Sequence, residues 1–262
     1  MPDVLILCYH SVSESWPALT SVTPSALSEH VAWLAARGYQ GTTFSDAVLT
    51  PPSARTVAFT FDDAHRSVLE LAHPILSAAG WPATVFVPTD YATEQRPLDW
   101  PGLEHWRGGV WERELACLSW SELEHLAGDG WEIGSHSCSH PRLSILAAED
   151  IEHELRRSRA EIERRLHRPC ETFAYPYSDH DERVVRAVRA AGYRLAATAP
   201  ITRPQPLPLL WPRPVVSRYD VDFRFRVRTS MALRHLGSAP LLGPASDRLR
   251  RTAGALINVR RS

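Results

Sequence analysis

Short apolar runs alternate along this chain with helix-like segments, and that rhythm limits the fold more than any other feature. The runs are Val4–Tyr9, Val57–Phe61, Ala83–Val87, Trp131–Ser135, Thr172–Tyr175 and Arg194–Thr198. Between them lie the helix-like segments Pro24–Arg37, Arg66–Ala79, Ala147–His167 and Asp181–Ala191. The strand-like runs are continuous rather than alternating, which suits a parallel sheet covered on both faces. A βαβα order of this kind predicts an α/β fold, as a barrel or an open doubly wound sheet. In Ala147–His167, Ile151, Leu155, Ile162 and Leu166 lie near one face, while Glu152/Arg156 and Glu161/Arg165 form i,i+4 pairs elsewhere on its surface.

A chain of 262 residues can bury one sizeable core, and its formal net charge of −1 argues against a nucleic-acid partner. All 29 basic residues are arginine. A GC-rich genome accounts for that bias, but it still excludes Schiff-base chemistry, lysine bases and a phosphate-loop lysine. Cys8, Cys117, Cys138 and Cys170 have no Cys-x-x-Cys spacing. Val4–Tyr9 has no basic residues before it, and no run reaches the ~18 apolar residues of a membrane span. A cytoplasmic location is therefore expected. The Pro- and Trp-rich segment Pro88–Trp120 reads as a long loop whose tryptophans suit a sugar ring, and Pro200–Pro214 reads as a connector.

Chemistry concentrates at two strand ends. Asp62 and Asp63 close the run Val57–Phe61, and His136 and His140 follow Trp131–Ser135. Pro141 disfavours helical geometry at His140, so both imidazoles belong to a loop beyond a strand's C-terminal end, where α/β enzymes place their sites. Each pair alone is weak, since strand-end aspartates often cap the next helix. Together they supply three N/O ligands for a catalytic metal and one spare carboxylate to act as base.

Thr60-Phe61-Asp62-Asp63, Ser135-His136-Ser137-Cys138-Ser139-His140 and Phe173-Ala174-Tyr175-Pro176-Tyr177 occur in that order. In pattern this resembles the polysaccharide deacetylases, the NodB-homology group of carbohydrate esterases. Cys8-Tyr9-His10-Ser11-Val12 further resembles the branch that acts on poly-N-acetylglucosamine and related glycans. The resemblance implies a single-domain distorted (β/α) barrel of about seven parallel strands. It also implies a metal-dependent hydrolase that removes the N-acetyl group from an amino sugar. Asp63, His136 and His140 would bind a divalent metal, zinc first, with cobalt, nickel and manganese also tolerated. Asp62 would be the base that deprotonates the metal-bound water, and the backbone N–H of Tyr177 would hold the oxyanion.

Two departures from the family pattern stand out. Ala64 follows the aspartates where glycine is usual, and Ala174 stands where an arginine often pairs with the base. Arg213 in Trp211-Pro212-Arg213-Pro214 is the best substitute for that arginine. His10 ends the first strand and is expected at the metal rim, with its role open. Tyr175, Pro176, His65 and Trp211 are expected substrate contacts. The family's late general-acid histidine has no clear counterpart; His235 comes late enough but sits in an amphipathic helical pattern.

The catalytic domain is expected over 1–220 and an Arg-rich extension over 221–262, packed on the domain or trailing from it. From Arg224 to Ser262 there are nine arginines and one acid, Asp247, which suits peripheral contact with an anionic membrane or a phosphate-bearing substrate. A solvated terminus is the plainer reading. With a cytoplasmic location, the expected substrate is a small or carrier-linked N-acetylated sugar. Deformylation, O-deacetylation or cyclic-amide hydrolysis on the same fold are alternatives, as is a silent carbohydrate-binding homologue.

Overall fold

The structure is a computed structural model and describes residues 3–50, 54–199 and 206–229. In chain order it holds β1 (Val4–Tyr9), β2 (Ser11–Val12), β3 (Ser21–Val22), α1 (Pro24–Ala35), β4 (Tyr39–Thr42) and α2 (Phe44–Leu49). There follow β5 (Arg55–Phe61), α3 (His73–Ala78), β6 (Thr84–Val87), α4 (Thr89–Glu94), α5 (Trp120–Gly128) and β7 (Glu132–Ser135). The chain continues through α6 (Ala148–Leu166), β8 (Thr172–Ala174), α7 (Glu182–Ala190), β9 (Leu195–Thr198), β10 (Trp211–Pro212) and α8 (Asp222–Thr229).

Seven strands run β1-β5-β6-β7-β8-β9-β10, every pairing parallel, and β4 lies beside the first half of β5. The circle nearly closes where the segment after β10 meets β1. Cys8 N–H donates to Pro214 O at 3.0 Å and Val216 N–H donates to Cys8 O at 2.7 Å. The result is a distorted (β/α) barrel. Prolines flank Arg213 without breaking this closure, because Pro214 takes part through its carbonyl and needs no N–H. The supposed connector thus ends in a barrel strand, and the supposed long loop contains α4 and the start of α5.

Successive strand residues point to opposite faces. Leu5, Leu7, Tyr9, Val57, Phe59, Phe61, Val85 and Val87 join Leu27, Val31, Leu123, Ile151, Leu155 and Val184 from the helices in the outer core. Ile6, Ala58, Phe86, Ala174, Leu195 and Ala197 form the inner cluster, closed by Phe44 and Ala47 of α2. This parity positions the site: inward positions continued along the chain past Ala58 and Thr60, past Gly134 and past Trp211 reach Asp62, His136 and Arg213 at the rim.

The helix expected over Arg66–Ala79 is split. Its first part, Val68–Ala72, is a π-helical turn, and Pro74, which has no N–H to donate, stands at the start of α3. At the other end of the chain, Phe225 of α8 stacks on His30 of α1, ring centroids 3.6 Å apart, so this part of the Arg-rich extension packs on the barrel's helical layer. Arg234 and all later arginines, with His235, lie outside the described residues. No helix among the described residues is long and apolar enough to cross a membrane.

Gly134 of β7 faces inward two residues before His136. A Cβ there would lie 2.5 Å from Thr172 Oγ1 and 2.6 Å from the Phe86 ring, both fully packed. Gly134→Ala is expected to cost about 1–3 kcal/mol through overpacking, read as a lower midpoint in urea unfolding.

Candidate active site

The C-terminal rim of the barrel gathers the polar ends of β1, β5, β7, β8 and β10. Asp62 and Asp63 leave β5 in a tight turn, with positive φ at Asp63 (70°) and Ala64 (51°). Leu118 N–H donates to Ala64 O at 2.8 Å, tying the turn to the segment before α5. Ala64 thus adopts the left-handed conformation that glycine accepts most easily, a strain that the surrounding packing sustains. Ser137 (65°), His140 (60°), Tyr177 (56°) and Ser178 (55°) also have positive φ, so backbone strain clusters around this rim.

Asp63, His136 and His140 converge. Nε2 of each histidine lies 3.4 Å from Asp63 Oδ1. A tetrahedral site with bonds of about 2.0–2.1 Å has edges of about 3.3–3.4 Å, so both spacings fit coordination to one shared ion. Asp63 Oδ1 is buried with no aligned hydrogen-bond partner. His136 Nδ1 lies 2.8 Å from Ala174 O. A carbonyl can only accept, so Nδ1 carries a proton and Nε2 is the atom left for a metal. Burial lowers the His136 pKa, but the Asp62 charge and contact with Asp63 reverse that and raise it. Burial drives the His140 pKa down to about 3 despite the attraction of Asp63, leaving its imidazole neutral. For Asp63, burial raises the pKa, but contact with His136 and the surrounding imidazoles overcome it, lower it and hold the carboxylate ionised. A neutral imidazole, an ionised carboxylate and an unsatisfied oxygen are what a divalent cation requires.

Beside this trio lies a second one. Arg213 Nη1 donates to Asp62 Oδ1 at 2.7 Å and to Thr60 Oγ1 at 2.6 Å, while Nη2 donates to Asp62 Oδ2 at 2.6 Å. Arg213 and Asp62 are both buried, at 2% and 5% exposure. Burial alone would raise the Asp62 pKa; Arg213, then His136 and His10, reverse that and lower it. The arginine missing at Ala174 is therefore supplied from β10's end. Cys8 Sγ lies 3.5 Å from Asp62 Oδ2, and ring nitrogen of half-buried His10 can approach both, within 4.8 Å.

The polysaccharide deacetylase family model matches residues 50–196. The chain belongs to the polysaccharide deacetylase family. It is 26% identical over 198 residues to YxkH of Bacillus subtilis (strain 168), a relative named after the same family. That match takes in 74% of this chain but only 63% of the relative's length. Two solved structures share the fold of this deacetylase-family chain. The Streptococcus pyogenes deacetylase PplD, solved with acetate, has a TM-score of 0.70 at 19% identity, over 86% of this chain and 97% of its own. IcaB from Ammonifex degensii has a TM-score of 0.67 at 20% identity, over 91% and 98%.

Within this family member, not every residue expected at the site reaches it. Tyr175 faces outward, 1% exposed, with its hydroxyl donating to Leu209 O at 2.9 Å. It cannot offer itself to a substrate from there; strand parity turned it into the outer core. Trp211 packs against the inner cluster with Val4 and Val48, one inward step below Arg213, so it floors the site rather than lining its opening. His65 is 2% exposed, with Nδ1 2.9 Å from Glu114 O and Nε2 3.8 Å from Asp63 Oδ2. It stands behind Asp63 rather than in the opening. Pro176 is buried and starts the turn that carries Tyr177. Tyr177 is half-buried, its ring 4.6 Å from that of His140, with the Arg142 guanidinium 4.4 Å above it.

Cys8 and Glu154 were not expected at the site, and Trp100, from the Trp-rich segment expected to meet a sugar ring, meets a histidine instead. Trp100 stacks on His140 with centroids 3.9 Å apart and planes at 24°. Glu154 of α6 accepts from Cys138 N–H (2.7 Å), Ser139 N–H (3.0 Å) and Ser139 Oγ (2.6 Å), clamping the loop between the two histidines. Cys8 had a usable signal, being two residues before His10 on one strand face. Glu154 had none, since it acts across a fold contact.

Removing Arg213 would leave the Asp62 carboxylate buried without its counter-charge. Arg213→Ala is expected to cost about 3–5 kcal/mol at neutral pH, read by chemical unfolding. The Asp62 pKa is lowered on folding, so its stabilisation is present above its unfolded value of about 3.9 and is lost as pH falls through the folded value. The gap between wild type and Arg213→Ala should accordingly narrow on the acid side.

Proposed function

We propose that this protein is a metal-dependent hydrolase that removes the N-acetyl group from an N-acetylated amino sugar. The observation that carries this reading is the pairing of the Asp63–His136–His140 trio with an arginine-held carboxylate, Asp62, on one barrel rim. Asp63, His136 and His140 would hold the cation, zinc first, since one carboxylate and two imidazoles leave open positions in its preferred geometry; cobalt, nickel or manganese would also be accommodated. When bound, such an ion supplies Lewis acidity, making water more acidic and drawing electrons from an acyl oxygen.

The remaining chemistry belongs to side chains and backbone of this chain. Asp62 takes a proton from the attacking water as the new C–O bond forms. Arg213 aims both carboxylate oxygens and keeps the group ionised until that moment. The backbone N–H of Tyr177, in its left-handed turn, stabilises charge on the acyl oxygen. The proton taken by Asp62 goes to the amine as the C–N bond breaks, with His10, within 4.8 Å of Asp62, as the relay; this returns acetate and a free amino sugar and leaves Asp62 ready for the next water. His65 stands behind Asp63, and Trp100 and Tyr177 flank the His140 ring on two sides. The substrate class we favour is a small or carrier-linked N-acetyl-hexosamine. The aromatic ring of Tyr177 and the Arg142 cation above it support sugar contact at the opening.

The test is acetate release from a panel of N-acetyl-hexosamine monomers, conjugates and polymers, using stripped and metal-restored protein. Asp62→Asn should lower kcat by about 10²–10⁴-fold while metal content is unchanged. His136→Ala should lose the metal and the activity together. Metal-independent acetate release, or an Asp62→Asn enzyme with full turnover, would remove the proposal.

A further inference from the structure

A second cluster of metal-ligating side chains lies outside the barrel rim. His73 at the start of α3, His125 in the last turn of α5 and Asp129 at that helix's C-terminal cap present ligand atoms within 4.8 Å of one another. His73 Nε2 lies 2.9 Å from Asp129 Oδ2, and His125 Nε2 lies 3.8 Å from the same oxygen. Two imidazole nitrogens thus face one carboxylate oxygen. His73 Nε2 is buried and has no aligned hydrogen bond, despite its closeness to Asp129. His73 is 15% exposed in its side chain, whereas His125 and Asp129 are 59% and 46% exposed. One ligand is therefore fixed in the fold and two stand open to solvent, giving an incoming ion access.

We propose that His73, His125 and Asp129 form an accessory site for a borderline divalent transition metal such as Zn²⁺ or Ni²⁺. Two imidazoles and a carboxylate select such ions over Mg²⁺ and Ca²⁺, which prefer oxygen ligands. An ion here satisfies the buried nitrogen of His73 and replaces a bent contact with coordination. His125 and Asp129 are four residues apart on α5, so they reach one point from successive turns. His73 comes from another helix, so the ion joins two elements.

Those two elements matter to the rim described above. Helix α3 lies in the connection that leaves β5, which ends at Asp62 and Asp63; α5 leads directly into β7, which ends at His136. The His73 ring also packs edge-on against Trp131 at 5.5 Å, and Trp131 stacks on Phe61 at 5.8 Å, next to Asp62 in sequence. The accessory ion therefore pins the outer layer over the two strands that carry the candidate catalytic ligands. It is a structural clasp, remote from the reacting atoms, and none of its ligands belongs to the rim.

The test is zinc stoichiometry after chelation and reloading, measured by equilibrium dialysis and elemental analysis on the full chain. Wild type is expected to retain one equivalent more than His125→Ala or Asp129→Asn. His136→Ala should lose a different equivalent and keep the one lost in His125→Ala. Because His125 and Asp129 are solvent-exposed, both variants should fold, and circular dichroism checks this. Zinc should raise the thermal midpoint of His136→Ala, and that shift should vanish in His136→Ala/His125→Ala. Equal zinc content in wild type and His125→Ala, or a zinc-induced shift that survives in the double variant, would overturn the proposal. Failure of the rim site would instead appear as unchanged zinc content in His136→Ala, so the two readings separate.

Discussion

The buried ion pair between Arg213 and Asp62 is the interaction on which the site depends. Arg213 follows β10 at one edge of the sheet and Asp62 follows β5, the second strand from the other edge, so the pair exists only once the barrel has come round on itself. Two parallel N–H···O bonds and a third to Thr60 hold the two terminal nitrogens of the buried guanidinium, while its Nε has no aligned partner. Burial alone drives the pKa of a carboxylate at this depth upward, and the guanidinium reverses that for Asp62. The family's usual arginine position is Ala174, and this chain meets the same electrostatic need from a different strand. Chemistry of this kind constrains which charge must be present, and leaves open which segment provides it.

Strand parity carries the same constraint through the rest of the barrel. Side chains pointing inward fill the interior with Ile6, Ala58, Phe86 and Ala174, and the inward positions after Ile6 and Ala58 are Cys8 and Thr60, which touch the Asp62–Arg213 pair. Gly134 makes room for Phe86 and Thr172 below His136. Above this packed floor the chain accepts left-handed backbone at Asp63, Ala64, Ser137, His140 and Tyr177. Such strain persists only where neighbouring contacts over-determine the conformation, and here Glu154, Leu118 N–H and the Trp100 ring provide them. Rigidity beneath and strain above are complementary, since a loose floor would let the turn relax and separate the ligands.

Much of this was legible in advance. The apolar runs gave the strands and their order, because burial on both faces of a parallel sheet leaves a continuous hydrophobic signal. The aspartate and histidine pairs stood out because they interrupt that signal at strand ends. Other parts were not legible. Tyr39–Thr42 is too short and polar to announce a strand, and Trp211–Pro212 was disguised by its prolines. Tyr175 and Trp211 were assigned to the substrate because they adjoin site motifs in sequence; parity turned one outward and set the other below the rim.

By itself, then, the sequence determined the α/β rhythm and marked the candidate ligands and the spare carboxylate, since each is written in local composition and spacing. Only the tertiary structure decided which arginine meets Asp62, which ring covers His140 and which expected contacts are buried. It also brought His73 to His125 and Asp129. The physical reason is common to all of these: contacts between groups far apart in the chain are set by barrel closure and by the way helices settle on its outside, and neither leaves a periodic mark in the sequence.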